Sequence, residues 1–162
     1  MEIAYGTLET PIGCLHVAAT CLGLAHVGFA SMGSGTDWGV GDQLRGDPRW
    51  VEQPILQLEE YFEGCRQRFE LKLDWRLSQG FYLSVLKELV MLQYGTTMSY
   101  GELARAVGSP KAARAVGTAM ATNPLALVVP CHRVVRSDGS IGGYAGRPEM
   151  KAWLLDHELA NR

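Results

Sequence analysis

Pro130-Cys131-His132-Arg133 follows directly on the apolar run from Ala126 to Val129. This junction holds the most reactive combination of residue types in the chain. A cysteine usually buries as a small hydrophobe. Here a strand-like stretch ends in proline and presents a thiol beside an imidazole and a guanidinium. Both neighbours favour the thiolate, which is the nucleophilic form. The expectation is a reactive Cys131 with a pKa below the free-thiol value of about 8.5. The alternative is a buried cysteine with a chance histidine beside it, and four residues alone leave both open.

The elements that must position this motif follow from the hydrophobic pattern. Residues 3–8 and 14–19 read as strands around the turn Thr10-Pro11-Ile12-Gly13, and Cys21-Leu22-Gly23 turns into a strand from Ala25 to Phe29. Ser31 to Gly46 is rich in Gly, Ser and Asp and reads as a loop. Gln53 to Phe62 has helical apolar spacing, whereas Phe69 to Trp75 alternates like a strand. A small α/β unit therefore spans 1–76, and residues 77–162 form a second, mainly helical unit. The fold class is α+β.

The second unit opens with a helix from Phe81 to Leu92. Ser99 is placed to cap a helix from Tyr100 to Val107, with Glu102 completing a capping box. Gly108-Ser109-Pro110 ends that helix and opens another with Pro110 at its start, its apolar stripe being Ala113, Val116, Gly117 and Met120. Lys111, Arg114 and Thr118 fall on other faces. The pair is either a helix-turn-helix or an ordinary helical hairpin. Ala112, Ala113, Ala115, Ala119 and Ala121 make the second helix slim, suited to a narrow minor groove and to contacts that ignore base sequence.

Composition bounds the function. With 162 residues, 47% of them hydrophobic, the chain can bury a real core. MEIAYGTLET has no signal-peptide pattern, and every apolar run falls short of a membrane span. The expectation is a soluble, membrane-free protein, cytoplasmic or nuclear, with four reduced cysteines. Net charge is −2, but residues 1–98 carry seven Lys or Arg against twelve Asp or Glu, whereas 99–162 carry eight against five. Only the C-terminal part is suited to a polyanion.

The motifs together resemble the O6-alkylguanine-DNA alkyltransferases, the methylated-DNA–protein-cysteine methyltransferases. The likeness runs through Tyr94-Gly95, Ser99 to Ala104, Pro110 to Gly117, Asn123-Pro124, Pro130 to Val135, Gly143 to Gly146 and Lys151 to Glu158, about half the chain. It is looser in the N-terminal unit, at Thr10 to Gly13 and Leu58 to Phe62. The resemblance implies DNA repair by stoichiometric transfer of an alkyl group from O6 of guanine, and from O4 of thymine, to Cys131. It implies that His132 acts on the thiol through a water, that Glu158 orients His132, and that Tyr100 supplies a proton or hydrogen bond to the base. Asn123 would tie the helix pair, which the resemblance makes a helix-turn-helix, to the active-site strand. The carbonyls of Cys131 and Val134 would read the guanine amino group, while Tyr144, Ala145 and Gly146 close over the base. Arg114 would fill the gap left by a flipped nucleotide, with Ala113, Lys111, Thr118 and Tyr100 also contacting double-stranded DNA. The protein would act as a monomer without a cofactor.

Departures from the family pattern stand at Leu86 and Gln93, at Ala145, where some members have serine, and at Ala126, where some pockets have proline. Some members also bind zinc through the N-terminal unit, and Cys14, His16, Cys21 and His26 invite that reading. A turn centred on Cys21-Leu22 pairs residue 17 with 26, which places His16 and His26 on opposite sheet faces and argues against a metal. Two other readings compete. A non-enzymatic lesion-binding relative would carry another residue at position 131, and a cysteine hydrolase would need a direct Cys131–His132 dyad, which adjacent strand residues make poorly.

Overall fold

The computed structural model describes residues 2–29, 45–144 and 147–162. The expected loop thus lies outside the described residues except for its last two positions, and so do Ala145 and Gly146. The chain divides into two compact units, Met1–Leu77 and Ser78–Arg162.

Unit 1 is an antiparallel meander of β1 (Ala4–Thr10), β2 (Gly13–Thr20) and β3 (Gly23–Phe29), followed by α1 (Glu52–Phe62). The Thr10 hydroxyl closes the first turn, accepting from Ile12 N–H at 3.2 Å and donating to the Gly13 carbonyl at 2.6 Å. Leu15, Val17, Val27 and Phe29 are buried on one sheet face. On that face Gly6 faces Val17, and a Cβ on Gly6 would lie 2.5 Å from Ile55 Cδ1. α1 therefore packs closely over Gly6, and a larger residue there would have to displace the end of the Ile55 side chain.

Two expectations for this unit are corrected. A register shift between Ala18 and Ala19 pairs Ala18, not Val17, with His26. His16 and His26 consequently share a sheet face, because a bulge inserts one residue and flips the side-chain parity. The argument that put them on opposite faces fails. Residues 69–75 also form no ladder; they make a single bridge, Leu24 with Leu73. The Gln57 side chain on α1 takes the place of a strand neighbour, accepting from Glu70 N–H at 2.8 Å and donating to the Glu70 carbonyl at 3.3 Å.

Unit 2 contains α2 (Gly80–Leu89), β4 (Met98–Ser99), α3 (Tyr100–Ala106), α4 (Ala113–Ala121), β5 (Val134–Val135) and α5 (Pro148–Asn161). β4 and β5 pair in parallel and join the start of α3 to the segment after Cys131. Ser99 caps α3 as expected, its Oγ accepting from Glu102 N–H at 3.0 Å. α2 stops at Leu89, short of Leu92, and the Leu92 carbonyl instead accepts from Arg133 Nη1 at 2.7 Å.

α4 differs from expectation in start and in face. Pro110 lies in the preceding turn, where Ala112 N–H donates to the Ser109 carbonyl at 2.9 Å, and the helix begins at Ala113. The buried residues are Val116, Ala119 and Met120, while Ala113 is exposed. Alanine and glycine carry too little apolar surface to mark a face, so the packed stripe is set by Val116 and Met120. Among the described residues, no helix is long and apolar enough to cross a membrane.

Candidate active site

Residues 125–130 deliver the cysteine in a compact turn instead of the expected strand. Val128 N–H donates to the Ala126 carbonyl and Val129 N–H to the Leu125 carbonyl, both at 2.9 Å. Leu127 takes φ 72°, a left-handed conformation costing roughly 1–2 kcal/mol for a residue with a Cβ. Asn123, just beyond α4, holds this turn from both sides: its amide donates to the Val129 carbonyl at 2.9 Å and its oxygen accepts from Leu125 N–H at 3.0 Å. Cys131, His132 and Arg133 then form one turn of 3-10 helix with all three side chains buried.

α5 brings the carboxylate. Glu158, 1% exposed, meets His132 Nε2 at 2.5 Å and accepts from Arg133 Nε at 2.8 Å, Arg133 Nη2 at 3.1 Å and Gly95 N–H at 3.0 Å. Burial alone would raise the Glu158 pKa, but His132 and Arg133 outweigh it and hold the carboxyl well below its usual range. Burial holds His132 below its ordinary 6.5 despite Glu158, so the imidazole rests neutral at neutral pH. With Nε2 bonded to Glu158, Nδ1 has no hydrogen-bond partner among the described residues. That nitrogen can receive a proton.

The thiol's resting state corrects the initial expectation. Burial pushes Cys131 above its ordinary value, and a hydrogen bond from Asn123 and the Lys151 charge only partly oppose it. Arg133 is turned to Glu158, not to the sulfur. Cys131 is therefore a neutral thiol at rest. Its deprotonation must be coupled to a base.

Lys151 escaped the sequence reading as a site residue. It is fully buried one heptad before Glu158 on α5, and its Nζ donates to the Val134 carbonyl at 2.5 Å, the Gly143 carbonyl at 3.0 Å and the Tyr100 hydroxyl at 3.5 Å. Burial lowers its pKa to about 8. The ammonium ties β5, the 143–144 segment and α3 into one site. Tyr100 in turn donates to the Gly143 carbonyl at 3.2 Å.

An open groove of about 820 Å³ is lined by Tyr100 from α3, by Ala113, Arg114, Gly117 and Ala121 from α4, and by Arg136, Gly143 and Tyr144. Burial and the nearby Cys131 raise the Tyr144 pKa well above its ordinary value. The structure thus sets Cys131 against Asn123 and its chain neighbour His132 against Glu158, and places Tyr100, Tyr144, Ala113 and Arg114 along one groove. Lys111 and Thr118 are exposed but do not line it. Val134 contributes its carbonyl to Lys151. Arg136 was the groove's unrecognised member; its signal was a cation between β5 and the Gly-rich stretch.

Comparison with known proteins agrees with this architecture. Residues 3–75 match the ribonuclease-like domain, and residues 80–160 the DNA-binding domain, of 6-O-methylguanine DNA methyltransferase. The methylated-DNA–protein-cysteine methyltransferase of Methanosarcina barkeri is 37% identical, covering 97% of this chain and 98% of its own. That of Mycolicibacterium paratuberculosis is 40% identical over 94% of this chain and 90% of its own. The crystal structure of Mycobacterium tuberculosis OGT in complex with DNA superposes with a TM-score of 0.86 at 37% identity, covering 98% of this chain and 94% of that one. Both domains in order, a relative matched nearly end to end and the shared three-dimensional structure lead to one assignment: this chain belongs to the methylated-DNA–protein-cysteine methyltransferase family.

Proposed function

We propose that this protein repairs double-stranded DNA by moving an alkyl group from O6 of guanine, and from O4 of thymine, onto Cys131 in a single irreversible step. The observation that carries the reading is the buried cysteine beside a neutral histidine whose Nε2 is fixed on an anionic Glu158. The thiol proton leaves through a bridging water to His132 Nδ1, and Glu158 stabilises the imidazolium that forms. The sulfur attacks the alkyl carbon, an S–C bond forms, and the C–O pair departs onto the guanine oxygen. Tyr100 donates to the ring, and the proton given up by the thiol finally resides on guanine. Thiol and alkylguanine become thioether and guanine, so atoms and charge balance.

The base must leave the stack to reach a buried sulfur. Ala113, Gly117 and Ala121 let α4 approach the backbone closely, and Arg114 fills the gap. Tyr144, Ala145 and Gly146 close over the base, with the Cys131 and Val134 carbonyls reading its amino group. Lys111 and Thr118 add contacts to the flanking backbone. Chemistry and DNA contact lie in residues 77–162, one copy of the chain serves each lesion, and no cofactor regenerates the thiol because a thioether is a very poor leaving group. The work takes place where the chromosome is, in the cytoplasm or, in a nucleated cell, the nucleus.

The test is intact-protein mass spectrometry after incubation with a duplex containing O6-methylguanine. One equivalent of added mass, about 14 Da on Cys131, is expected. Continued turnover with excess substrate, or the same transfer by Cys131→Ala, would overturn the reading.

A further inference from the structure

The groove is flanked by a second arginine that the alkyl-transfer chemistry does not use. Arg136 heads a tight turn in which its N–H donates to the Ser140 carbonyl and its carbonyl accepts from Gly139 N–H, both at 2.9 Å. The adjacent carboxylate is committed to that turn, since Asp138 Oδ1 accepts from Ser140 N–H at 2.9 Å and from Ser140 Oγ at 2.7 Å. Arg49, Arg66, Arg76 and Arg133 each hold a carboxylate. Among the described residues, Arg136 and Arg114 make no side-chain hydrogen bond or ion pair, and both line the groove.

The stem of Arg136 is also seated. Gly142 takes φ +75°, and a Cβ there would lie 3.4 Å from Arg136 Cγ and 3.1 Å from the Tyr100 hydroxyl. Glycine leaves the space in which Arg136 and Tyr100 stand side by side. Burial and Cys131 raise the Tyr100 pKa and burial lowers that of Lys151; the Arg136 charge reaches both groups, opposing the first shift and adding to the second. Asp138 also feels that charge, but its carboxylate is hydrogen-bonded to Ser140. A guanidinium that lines a groove in no ion pair among the described residues, with its stem beside Tyr100, keeps its donors for a phosphodiester.

We propose that Arg136 grips the backbone phosphate of the flipped nucleotide, so that this nucleotide is held between two cations: Arg114 entering from α4 and Arg136 receiving the displaced phosphate from the turn after β5. The proposal rests on the base-flipping reading above. It assigns the two arginines different tasks, Arg114 replacing the base in the stack and Arg136 stabilising the rotated backbone.

Arg136→Gln and Arg136→Lys test it, measured as the full chain. Fluorescence anisotropy with a duplex from 50 to 200 mM KCl gives the slope of log K against log salt. Single-turnover kinetics give the alkyl-transfer rate on O6-methylguanine duplex and on free O6-benzylguanine. Loss of one phosphate contact should reduce the slope of Arg136→Gln by about 0.9, so that the penalty relative to wild type shrinks about 3.5-fold across that salt range. Binding at 50 mM KCl should weaken about fivefold to tenfold, and the duplex rate should fall about tenfold more than the free-base rate. Arg136→Lys should regain the slope, because the charge is restored. A wild-type slope in folded Arg136→Gln overturns the proposal, as do duplex and free-base rates falling in equal proportion. The two readings fail separately. Wild-type protein that gains no alkyl mass refutes the transfer reaction, whereas wild-type transfer with an unchanged Arg136→Gln slope refutes the phosphate grip alone.

Discussion

Replacing Glu158 with Gln isolates the proposed proton relay. The carboxylate receives four hydrogen bonds, from His132, twice from Arg133 and from Gly95 N–H. Glutamine keeps the shape but removes the charge that stabilises a protonated His132. A unit charge about 4 Å from the imidazolium at an effective dielectric of 20 is worth roughly 4 kcal/mol, or about three pK units. If half of the proton transfer is felt in the transition state, the rate at pH 7 falls about 30-fold. His132 then no longer accepts the thiol proton near neutrality, and reaction waits for solvent base, so the profile shifts to higher pH. The substitution also leaves a buried guanidinium without its anion, about 3–5 kcal/mol of destabilisation. For a chain of this length the melting temperature drops by roughly 6–20 °C.

The assay is single-turnover transfer from free O6-benzylguanine between pH 6 and 9, at a temperature where circular dichroism shows Glu158→Gln folded. Arg133→Gln is the counter-measurement. It also breaks the buried pair and destabilises the fold, but leaves the Glu158 anion on His132. The Arg133 charge lowers the His132 pKa, so removing it makes the imidazole a better base. The Arg133→Gln profile should therefore stay or move to lower pH. Parallel shifts in both variants would mean that general loosening, not the relay, controls the rate. An unchanged profile in folded Glu158→Gln would remove Glu158 from the mechanism.

Two further predictions concern other parts of the molecule. Arg114→Ala should slow repair of O6-methylguanine in duplex about 10–100-fold while affecting free O6-benzylguanine far less, because only the duplex needs a base flipped; equal losses in single-turnover assays would assign Arg114 to the fold. In unit 1, Asp74 accepts from the Thr20 hydroxyl at 2.6 Å and pairs with Arg76 at 2.5 Å, which holds its carboxyl at about 2 against the ordinary 3.8. A folded pKa below the unfolded one stabilises above about pH 4, and that contribution fades as pH falls through about 2. The full shift corresponds to about 2.4 kcal/mol, and half-exposed Arg76 reduces this, so Asp74→Asn should cost about 1–2 kcal/mol at pH 7. Denaturant titrations should show the gap between wild type and variant narrowing from pH 4 to pH 2, and a gap independent of pH would assign the loss to packing instead.

Features carried by adjacent residues were readable from the chain alone, and those depending on distant partners were not. Cys131-His132 is a local signal, as is the Ser99 cap, which works within one turn of its own helix. The strand expected at 69–75 failed because its alternation is real while its backbone bonds are split between one bridge to Leu24 and the Gln57 side chain, thirteen residues away from Glu70. The His16–His26 geometry failed at a bulge between Ala18 and Ala19, two small residues whose types do not announce it. Lys151 stayed hidden because the inward stripe of α5 mixes Met150 and Leu154 with Lys151 and Glu158, which erases the apolar periodicity of an amphipathic helix.

The charge state of the thiol was the least legible feature, and its correction bears on how the site works. Arg133 follows the histidine in sequence, yet its guanidinium turns to Glu158 and leaves the sulfur to burial. A sequence shows that a cation is near; only the fold shows which anion claims it. A standing thiolate would react with any soluble electrophile or oxidant, an expensive property in a protein that works once. On the proposed mechanism, a buried thiol that ionises only when His132 takes its proton confines that reactivity to the moment a base occupies the site. The groups that raise the Cys131 pKa at rest and those that draw off its proton during transfer are then parts of one arrangement: apolar burial around the sulfur, with a Glu158-held imidazole next to it in the chain.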